Sequence, residues 1–278
     1  MVGLAKAGFG RRMLMAKATK VWPLGWLVNR LLFEEDRMIY LPKDSVALRA
    51  PGKSVDVRVD IPAEWTNTVL PSEIVEHFIR ESKHHFIMDA CLCRDASDCK
   101  DYPKDLGCLF LGRGAARIDE RLGRRVTVDE ALAHVRRCRE AGLVHLIGRN
   151  KIDAVVFDTG RKEDLMSICS CCPCCCLWKM LPELSPDISG GVTRMPGVTV
   201  AVTDSCTGCG RCVESEVCFV GAISMADERA VIDQGLCRGC GRCTESCTSS
   251  AIILTIDDRD FLRRAVDAIA PLVDLRAE

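Results

Sequence analysis

Apolar and polar positions alternate along residues 55–61, where Val and Ile take every second place and Asp and Arg stand between them. This period of two predicts a half-buried strand, so we expect a small β element within residues 38–61. Two short apolar segments, residues 143–149 and 153–158, are typical of short buried strands. The strand signals in this chain are therefore few and brief.

Helical spacing begins at Ser72, after which apolar residues recur three and four positions apart. Thr127 and Glu130 stand in capping-box spacing and predict the start of a second helix. Residues 261–269 carry an apolar face that predicts a C-terminal helix packed against the body. Between these helices, residues 189–198 have the Gly and Pro content of a linker.

The N-terminal residues 1–33 contain six basic side chains and no acidic one. The bases are interleaved with Trp22, Trp26 and several Leu residues. No window of the chain holds 18 uninterrupted apolar residues, so no segment is expected to span a membrane. The segment is therefore expected either to lie at a membrane interface or to pack as an ordinary core-facing helix. The formal net charge of the chain is −1, which does not favour nucleic acid as a partner.

Nineteen cysteines in 278 residues indicate sulfur chemistry. Disulfide frameworks belong mostly to short secreted chains, and here the number of cysteines is odd. Arg11 and Arg12 form a twin-arginine pair, but Lys17 and Lys20 interrupt the apolar run that an export signal needs. We therefore expect a cytoplasmic protein whose thiolates are held by metal, with membrane association as an open alternative.

Two cysteine runs, "CTGCGRCVESEVC" from residue 206 and "CRGCGRCTESC" from residue 237, form an internal repeat. Residues 198–256, which contain both runs, resemble the bacterial ferredoxins that hold two [4Fe-4S] clusters. In that family the fourth cysteine of each run binds the other cluster. The resemblance therefore implies two [4Fe-4S] clusters with two ligand sets: Cys206, Cys209, Cys212 and Cys247 for one, and Cys237, Cys240, Cys243 and Cys218 for the other.

The repeat departs from the ferredoxin pattern in two ways. Five residues separate Cys212 from Cys218, whereas three separate Cys243 from Cys247, and no proline follows either fourth cysteine. The longer loop is expected to change exposure and hydrogen bonding around the cluster that Cys218 completes, and hence its potential.

Ten further cysteines, besides an isolated Cys138, lie upstream in two dense stretches, and we predict that they bind metal: Cys91, Cys93, Cys99, Cys108, Cys169, Cys171, Cys172, Cys174, Cys175 and Cys176. Six of them fall within eight positions, where neighbouring side chains point in different directions. One metal centre cannot collect them all, but two sites on opposite sides of a loop bent at Pro173 can. We expect one or two further iron–sulfur clusters with ligands from both stretches.

Cys138 lies on the predicted helix near Val135, which favours a buried, unreactive thiol over a ligand. Together with Cys171-Cys172 and the Cys206/Cys209 pair, its spacing is also similar to the cysteine-rich motif of heterodisulfide reductase subunits. That motif binds a noncubane cluster, but its last pair here belongs to the repeat. Fragments that resemble NAD, flavin or ATP motifs lack the required glycines.

Together these patterns predict an α+β protein in which a ferredoxin-like 2[4Fe-4S] module is joined to a mainly helical cysteine-rich domain with a small β element. The predicted parts are residues 1–70, a basic segment with the β element; 71–190, the cysteine-rich domain; 196–256, the ferredoxin-like module; and 257–278, the C-terminal helix. The expected function is relay of single electrons through the two ferredoxin-type clusters to or from an additional cluster in the cysteine-rich domain. The relay is expected to serve a larger redox enzyme and to exchange electrons with a redox partner protein. The alternatives are an oxidoreductase with its catalytic centre at the upstream cluster, as in heterodisulfide reductases, and a metal-storage protein.

Overall fold

A computed structural model describes residues 2–47, 70–256 and 260–277. The strand predicted at residues 55–61 lies outside this part of the chain. The helices are α1 (Val2–Phe9), α2 (Arg12–Ala18), α3 (Leu24–Val28), α4 (Asp44–Ala47), α5 (Pro71–Glu81), α6 (Leu92–Ala96), α7 (Val128–Glu140), α8 (Lys151–Phe157), α9 (Pro186–Ser189), α10 (Arg211–Glu214), α11 (Arg242–Ser246) and α12 (Phe261–Ile269). The strands are β1 (Arg37–Tyr40), β2 (His85–Met88), β3 (Leu109–Leu111), β4 (Gly123–Arg125), β5 (Val144–Arg149), β6 (Met166–Cys171), β7 (Val192–Arg194), β8 (Val198–Val202), β9 (Ile223–Ala226), β10 (Arg229–Ile232) and β11 (Ile252–Ile256).

The body of the protein is built on a seven-stranded mixed sheet with the strand order β4-β2-β3-β6-β5-β1-β7. Its strand pairs are antiparallel except β1 and β7, which run parallel. Because β1 and β7 belong to this sheet, it extends beyond the predicted 71–190 domain on both sides. The chain is thus a mixed helix and sheet structure, with far more sheet in the cysteine-rich region than the small β element expected there.

Helices α5, α7 and α12 cover one face of the sheet. Ile74 and Phe78 of α5 pack in the same buried cluster as Ile168 of β6 and Phe261 of α12. The predicted capping box of α7 is present, with Thr127 N–H donating to Glu130 at 2.9 Å. The sequence predictions for these three helices and for the strand at 143–149 are confirmed.

The strand predicted at residues 153–158 is wrong, because these residues belong largely to helix α8. Ala154 and Phe157, three positions apart, are the buried residues of this helix. A short apolar run without polar breaks fits a buried strand and a buried helix equally well. The packing of α8 beside α1 and the π-helical turn Asn29–Phe33 decides between them.

The other face of the sheet is covered by the N-terminal helices and a 3₁₀ segment, Leu177–Glu183. Phe33 packs edge-on against Trp178, with ring centroids 6.5 Å apart. Met38 and Tyr40 of β1 lie on this side, whereas Ile39 lies on the side of α5, as strand alternation requires. In the described residues, no helix is both long enough and apolar enough to cross a membrane.

Residues 196–256, called the repeat unit below, consist of two small antiparallel pairs and two short helices. Strand β8 pairs with β11, and β9 forms a hairpin with β10. Helices α10 and α11 each follow a cysteine loop at equivalent places in the two halves.

Candidate metal centres

The repeat unit gathers its eight cysteines into two groups of four. One cavity is lined by Cys206, Cys209, Cys212 and Cys247, which we call the outer group. A second cavity is lined by Cys218, Cys237, Cys240 and Cys243, the inner group. Each group therefore combines three cysteines of one run with the fourth cysteine of the other, in the same sets that the ferredoxin resemblance implies.

The backbone around the two groups repeats closely. Gly208 and Gly210 have φ of 69° and 70°, and Gly239 and Gly241 have φ of 64° and 79°. Glycine adopts these left-handed conformations without steric cost, which lets each loop curl around its group. A Cβ on Gly208 would lie 2.3 Å from the carbonyl oxygen of Glu228, so this loop also needs glycine for close packing.

Backbone amides point at sulfur in both halves. Ala222 N–H donates to Cys218 Sγ at 3.2 Å, and Ala251 N–H donates to Cys247 Sγ at 3.3 Å. In addition, Gly239 N–H donates to Cys237 Sγ at 3.4 Å. Such bonds stabilise the thiolate form of sulfur, which is the form that binds metal.

The two extra residues of the first run form a loop after α10. Glu216 takes a positive φ of 48°, which turns the chain back so that Cys218 still reaches the inner group. The longer loop is therefore accommodated without moving its cysteine out of the group.

The outer group lies at the surface and the inner group faces the large sheet. Cys209 is exposed, whereas Cys243 is buried. On the inner side, Lys43 N–H donates to the carbonyl of Cys240 at 3.3 Å. Phe219, the neighbour of Cys218, packs on Tyr40 with ring centroids 4.9 Å apart.

A third group, the tetracysteine group, contains Cys99, Cys172, Cys174 and Cys175. Their sulfur atoms all lie within 4.8 Å of one another, close enough to bind one metal centre. Cys99 follows α6, and the other three lie in the turn after β6. Cys175 N–H donates to Cys172 Sγ at 3.3 Å, as the amides of the repeat unit do to theirs.

A fourth group, the hexacysteine group, contains the remaining upstream cysteines except Cys138: Cys91, Cys93, Cys108, Cys169, Cys171 and Cys176. The sulfur atoms of Cys108 and Cys169 are 4.0 Å apart, and Tyr40 Oη lies 3.6 Å from Cys176 Sγ. Cys169 and Cys171 alternate with Ile168 and Ser170 on β6, so both face the N-terminal helices. The dense stretch at 169–176 is thus divided between two groups, with Cys169, Cys171 and Cys176 in the hexacysteine group and Cys172, Cys174 and Cys175 in the tetracysteine group.

The thiols of the upstream groups cannot all ionise together. A hydrogen bond from Cys108, with one from Cys93, lowers the pKa of Cys91 well below its usual value. The pKa of Cys93 is raised by its contact with Cys91 and by burial. Burial and the contact with Cys99 raise the pKa of Cys175 to about 11. A bound cation removes this mutual repulsion, because metal favours the deprotonated form of every ligand.

Arg94 lies fully buried next to the two upstream groups, with 0% of its surface exposed. Its guanidinium donates to the carbonyls of Pro103 (2.7 Å), Ser170 (2.8 Å) and Leu106. In the described residues, no carboxylate pairs with it. Burial opposes its charge, but the thiolates of Cys91 and Cys108 outweigh that effect and raise its pKa. A buried cation without a carboxylate requires anionic neighbours, and thiolates are the available anions.

A second buried arginine connects the repeat unit to the hexacysteine group. Arg242 of α11 is 5% exposed, and its Nη2 donates to the carbonyl of Cys171. Arg242 also follows Cys240 by two positions, so it lies between the inner and hexacysteine groups. Sequence reasoning missed Arg94, Arg242 and Tyr40, since their roles depend on contacts between distant parts of the chain.

Cys138 lies fully buried near the tetracysteine group, yet outside its four sulfurs. Its Sγ is 3.7 Å from His134 Nε2, and burial raises its thiol pKa. His134, His85 and His145 are each buried with a ring nitrogen near a carbonyl or hydroxyl oxygen, as packed histidines are. None of the three lines either cavity of the repeat unit.

No protein-family model, curated protein or solved structure matches this chain. The case for metal therefore depends on the geometry of the chain itself. Grouped thiols, amides directed at sulfur, glycines that allow close approach and a buried guanidinium beside the upstream thiols all fit iron–sulfur clusters. A group of four cysteines also fits zinc, but zinc alone accounts poorly for six thiols around one cavity.

Proposed function

We propose that the protein is an iron–sulfur electron-transfer protein with four centres, one on each cysteine group. The outer and inner groups would each hold a [4Fe-4S] cluster, and the tetracysteine and hexacysteine groups would hold two more. Single electrons would pass between a redox partner at the exposed outer group and the upstream groups.

The observation that carries this proposal is the continuous contact between the groups. The inner group adjoins the hexacysteine group through Phe219 and Tyr40, and through Arg242. The hexacysteine and tetracysteine groups adjoin through the chain, because Cys171 precedes Cys172 and Cys176 follows Cys175. An arrangement of this kind suits relay, since each centre would lie beside the next and Cys209 of the outer group is the one cysteine of the described residues that is exposed.

Cys247→Ser tests the relay at its outer end. The variant should lose about one to four irons, because one cubane loses its fourth thiolate ligand. A protein-sized donor should then no longer reduce the upstream centres at the wild-type rate, whereas dithionite, which is small, should still reduce them. Anaerobic stopped-flow absorbance with a reduced ferredoxin as donor measures this.

Ser246→Ala is the matched control, because Ser246 neighbours Cys247 but its hydroxyl donates to the carbonyl of Cys243. It should behave as the wild type with both reductants. If Cys247→Ser accepts electrons from the protein donor as fast as Ser246→Ala does, the outer group is not the point of entry.

We further propose that the N-terminal helices rest on an anionic membrane surface. Of the twelve large apolar side chains exposed in the described residues, nine lie between residues 13 and 31. Trp22 is 84% exposed and Leu14 is 69% exposed. Arg11, Lys17 and Lys20 are exposed among them, so the face combines apolar and basic groups. Interfacial helices bind anionic lipid through this combination.

Replacing both Trp22 and Trp26 by Ser should weaken binding to vesicles of phosphatidylglycerol and phosphatidylcholine by about tenfold or more, because two large apolar groups are lost. Point substitution is preferred to deletion, since Phe9, Ala16 and Phe33 of the same segment are buried. Co-sedimentation measures the effect. Val231→Ser, at a residue 45% exposed in the repeat unit, is the control and should bind as the wild type. Equal binding by both variants would rule out this surface.

A further inference from the structure

A cavity of about 260 Å³ lies between the N-terminal helices and the hexacysteine group. All six thiols of the group line it, and Gly8, Ala16 and Phe33 line the opposite wall. The cavities at the inner and outer groups measure only about 20 and 10 Å³. The hexacysteine cavity therefore encloses more than tenfold the free space of a four-thiol group.

The thiol-lined end of this space is where the cluster proposed for the hexacysteine group would lie, and the end lined by the N-terminal helices is where an organic ring would lie next to it. An apolar protein cavity of roughly 150 Å³ holds a benzene molecule. Beyond the thiol group, most of the wall surface is apolar, which favours a lipophilic ligand over a charged one.

Polar side chains also line the cavity, and they include Arg12, Arg94, Asn150 and Asp153. Asp153 Oδ2 accepts hydrogen bonds from Ser167 Oγ at 2.6 Å and from Asn150 Nδ2 at 3.1 Å. In the described part of the chain, its Oδ1 accepts none. Asn150 is 2% exposed, and its Oδ1 is buried without a partner. Burial also raises the pKa of Asp153 to about 6, so this carboxyl carries a proton more readily than an exposed one.

The cavity extends to the exposed apolar face of the N-terminal helices. Met15 lines the cavity and is also 57% exposed. Its neighbour Leu14 belongs to the face that we propose to rest on a membrane. A ligand dissolved in the bilayer would thus reach the thiol group without crossing water.

We propose that this cavity binds a lipophilic quinone, which receives its electrons at the hexacysteine group. This inference rests on the proposed electron relay. In the balanced step, the quinone gains two electrons, one at a time from the reduced relay, and two protons. Its two C=O groups become C–OH groups, and the electron donor at the outer group is oxidised by two electrons in total. Asp153 delivers the protons and is reprotonated from solvent.

Gly8→Phe tests the cavity, with Gly3→Phe on the same helix as the matched control. A Cβ at either glycine meets no atom within 4 Å, and only Gly8 lines the cavity. Menadione, a naphthoquinone without a prenyl tail, is titrated calorimetrically into the oxidised holoprotein. Gly8→Phe should weaken its binding by about tenfold or more, since the ring fills the space, whereas Gly3→Phe should bind as the wild type.

Asp153→Asn separates binding from reduction, because the amide keeps the shape of the carboxyl but carries no acidic proton. It should bind menadione as the wild type and reduce it about 100-fold more slowly under excess reductant. An unchanged reduction rate would overturn the role of Asp153.

Iron and acid-labile sulfide are counted in the same samples. A protein with its full content of both that does not bind menadione would overturn the quinone site and leave the relay standing. Equal loss of binding in Gly8→Phe and Gly3→Phe would also overturn it. A protein without iron or sulfide would instead overturn the proposed relay itself.

Discussion

Arg94→Met is expected to lower the free energy of unfolding of the anaerobic holoprotein by about 3 to 5 kcal/mol, as removal of one partner of a buried charge interaction does. The substitution leaves the carbonyls of Pro103, Ser170 and Leu106 without their donor. It also removes a buried cation that lies beside the thiols of the two upstream groups. The midpoint of anaerobic urea unfolding, with iron counted before unfolding, measures both effects.

Two further variants make the Arg94 result specific. Arg94→Lys keeps the charge but not the planar set of three donors, so it should lie between the wild type and Arg94→Met. Arg136→Met, at an exposed arginine of α7, should change the free energy of unfolding by no more than about 0.5 kcal/mol. If Arg94→Met unfolds at the urea concentration of Arg136→Met and keeps its iron, the charge of Arg94 does not balance bound clusters.

Cys175→Ala should remove about one to four irons per chain, because a cubane that loses one of four thiolate ligands either releases the iron which that thiolate held or is lost entirely. Cys175 belongs to the tetracysteine group, whose sulfurs all lie within 4.8 Å of one another. The centres on the other three groups should remain. Their signals in the paramagnetic spectrum of the reduced protein identify which centre is lost.

Cys138→Ala is the matched control for this loss. Cys138 is a buried cysteine in the same apolar cluster, and its sulfur lies outside the four. It should keep the full iron content and lose only the packing of one buried sulfur. Equal iron loss in the two variants would mean that Cys138 takes part in the centre, and no loss in Cys175→Ala would mean that the group holds no cluster.

The sequence predicted the regular helices because their apolar faces are local signals. Helices α5, α7 and α12 and strand β5 each show their period within one segment. Strands β2 and β3 were not predicted. With four and three residues, they are too short to show an alternation of apolar and polar positions, and their pairing joins distant segments of the chain. The same limit explains why the sequence did not predict the pairing of β1 with β5, which brings β1 into the central sheet from before the predicted domain boundary.

The candidate site, too, was predictable only where its signal is local in the sequence. Spacing alone distinguished the two runs of the repeat unit, and the density of cysteines at 169–176 allowed one or two upstream sites. Spacing could not show that Cys99 joins Cys172, or that Cys91 joins Cys108 and Cys169. These partnerships depend on β3, β5 and β6 lying side by side. Arg94 directly follows Cys93 in the sequence, but nothing in that position indicates a buried cation.

The N-terminal segment packs on the core with some of its apolar side chains and exposes others. Phe9, Ala16 and Phe33 are buried, while Trp22, Trp26 and Leu27 remain exposed. The sequence left open whether this segment packs on the core or meets a membrane. The structure shows the first, and the exposed apolar face motivates the proposal of the second.

The most direct test of the central claim is the content of iron and acid-labile sulfide per chain after purification and reconstitution without oxygen. Four cysteine groups that each hold at least a cubane predict about sixteen of each, or more. About eight of each would restrict clusters to the repeat unit and contradict the upstream centres. Zinc without sulfide would contradict electron transfer and favour metal storage.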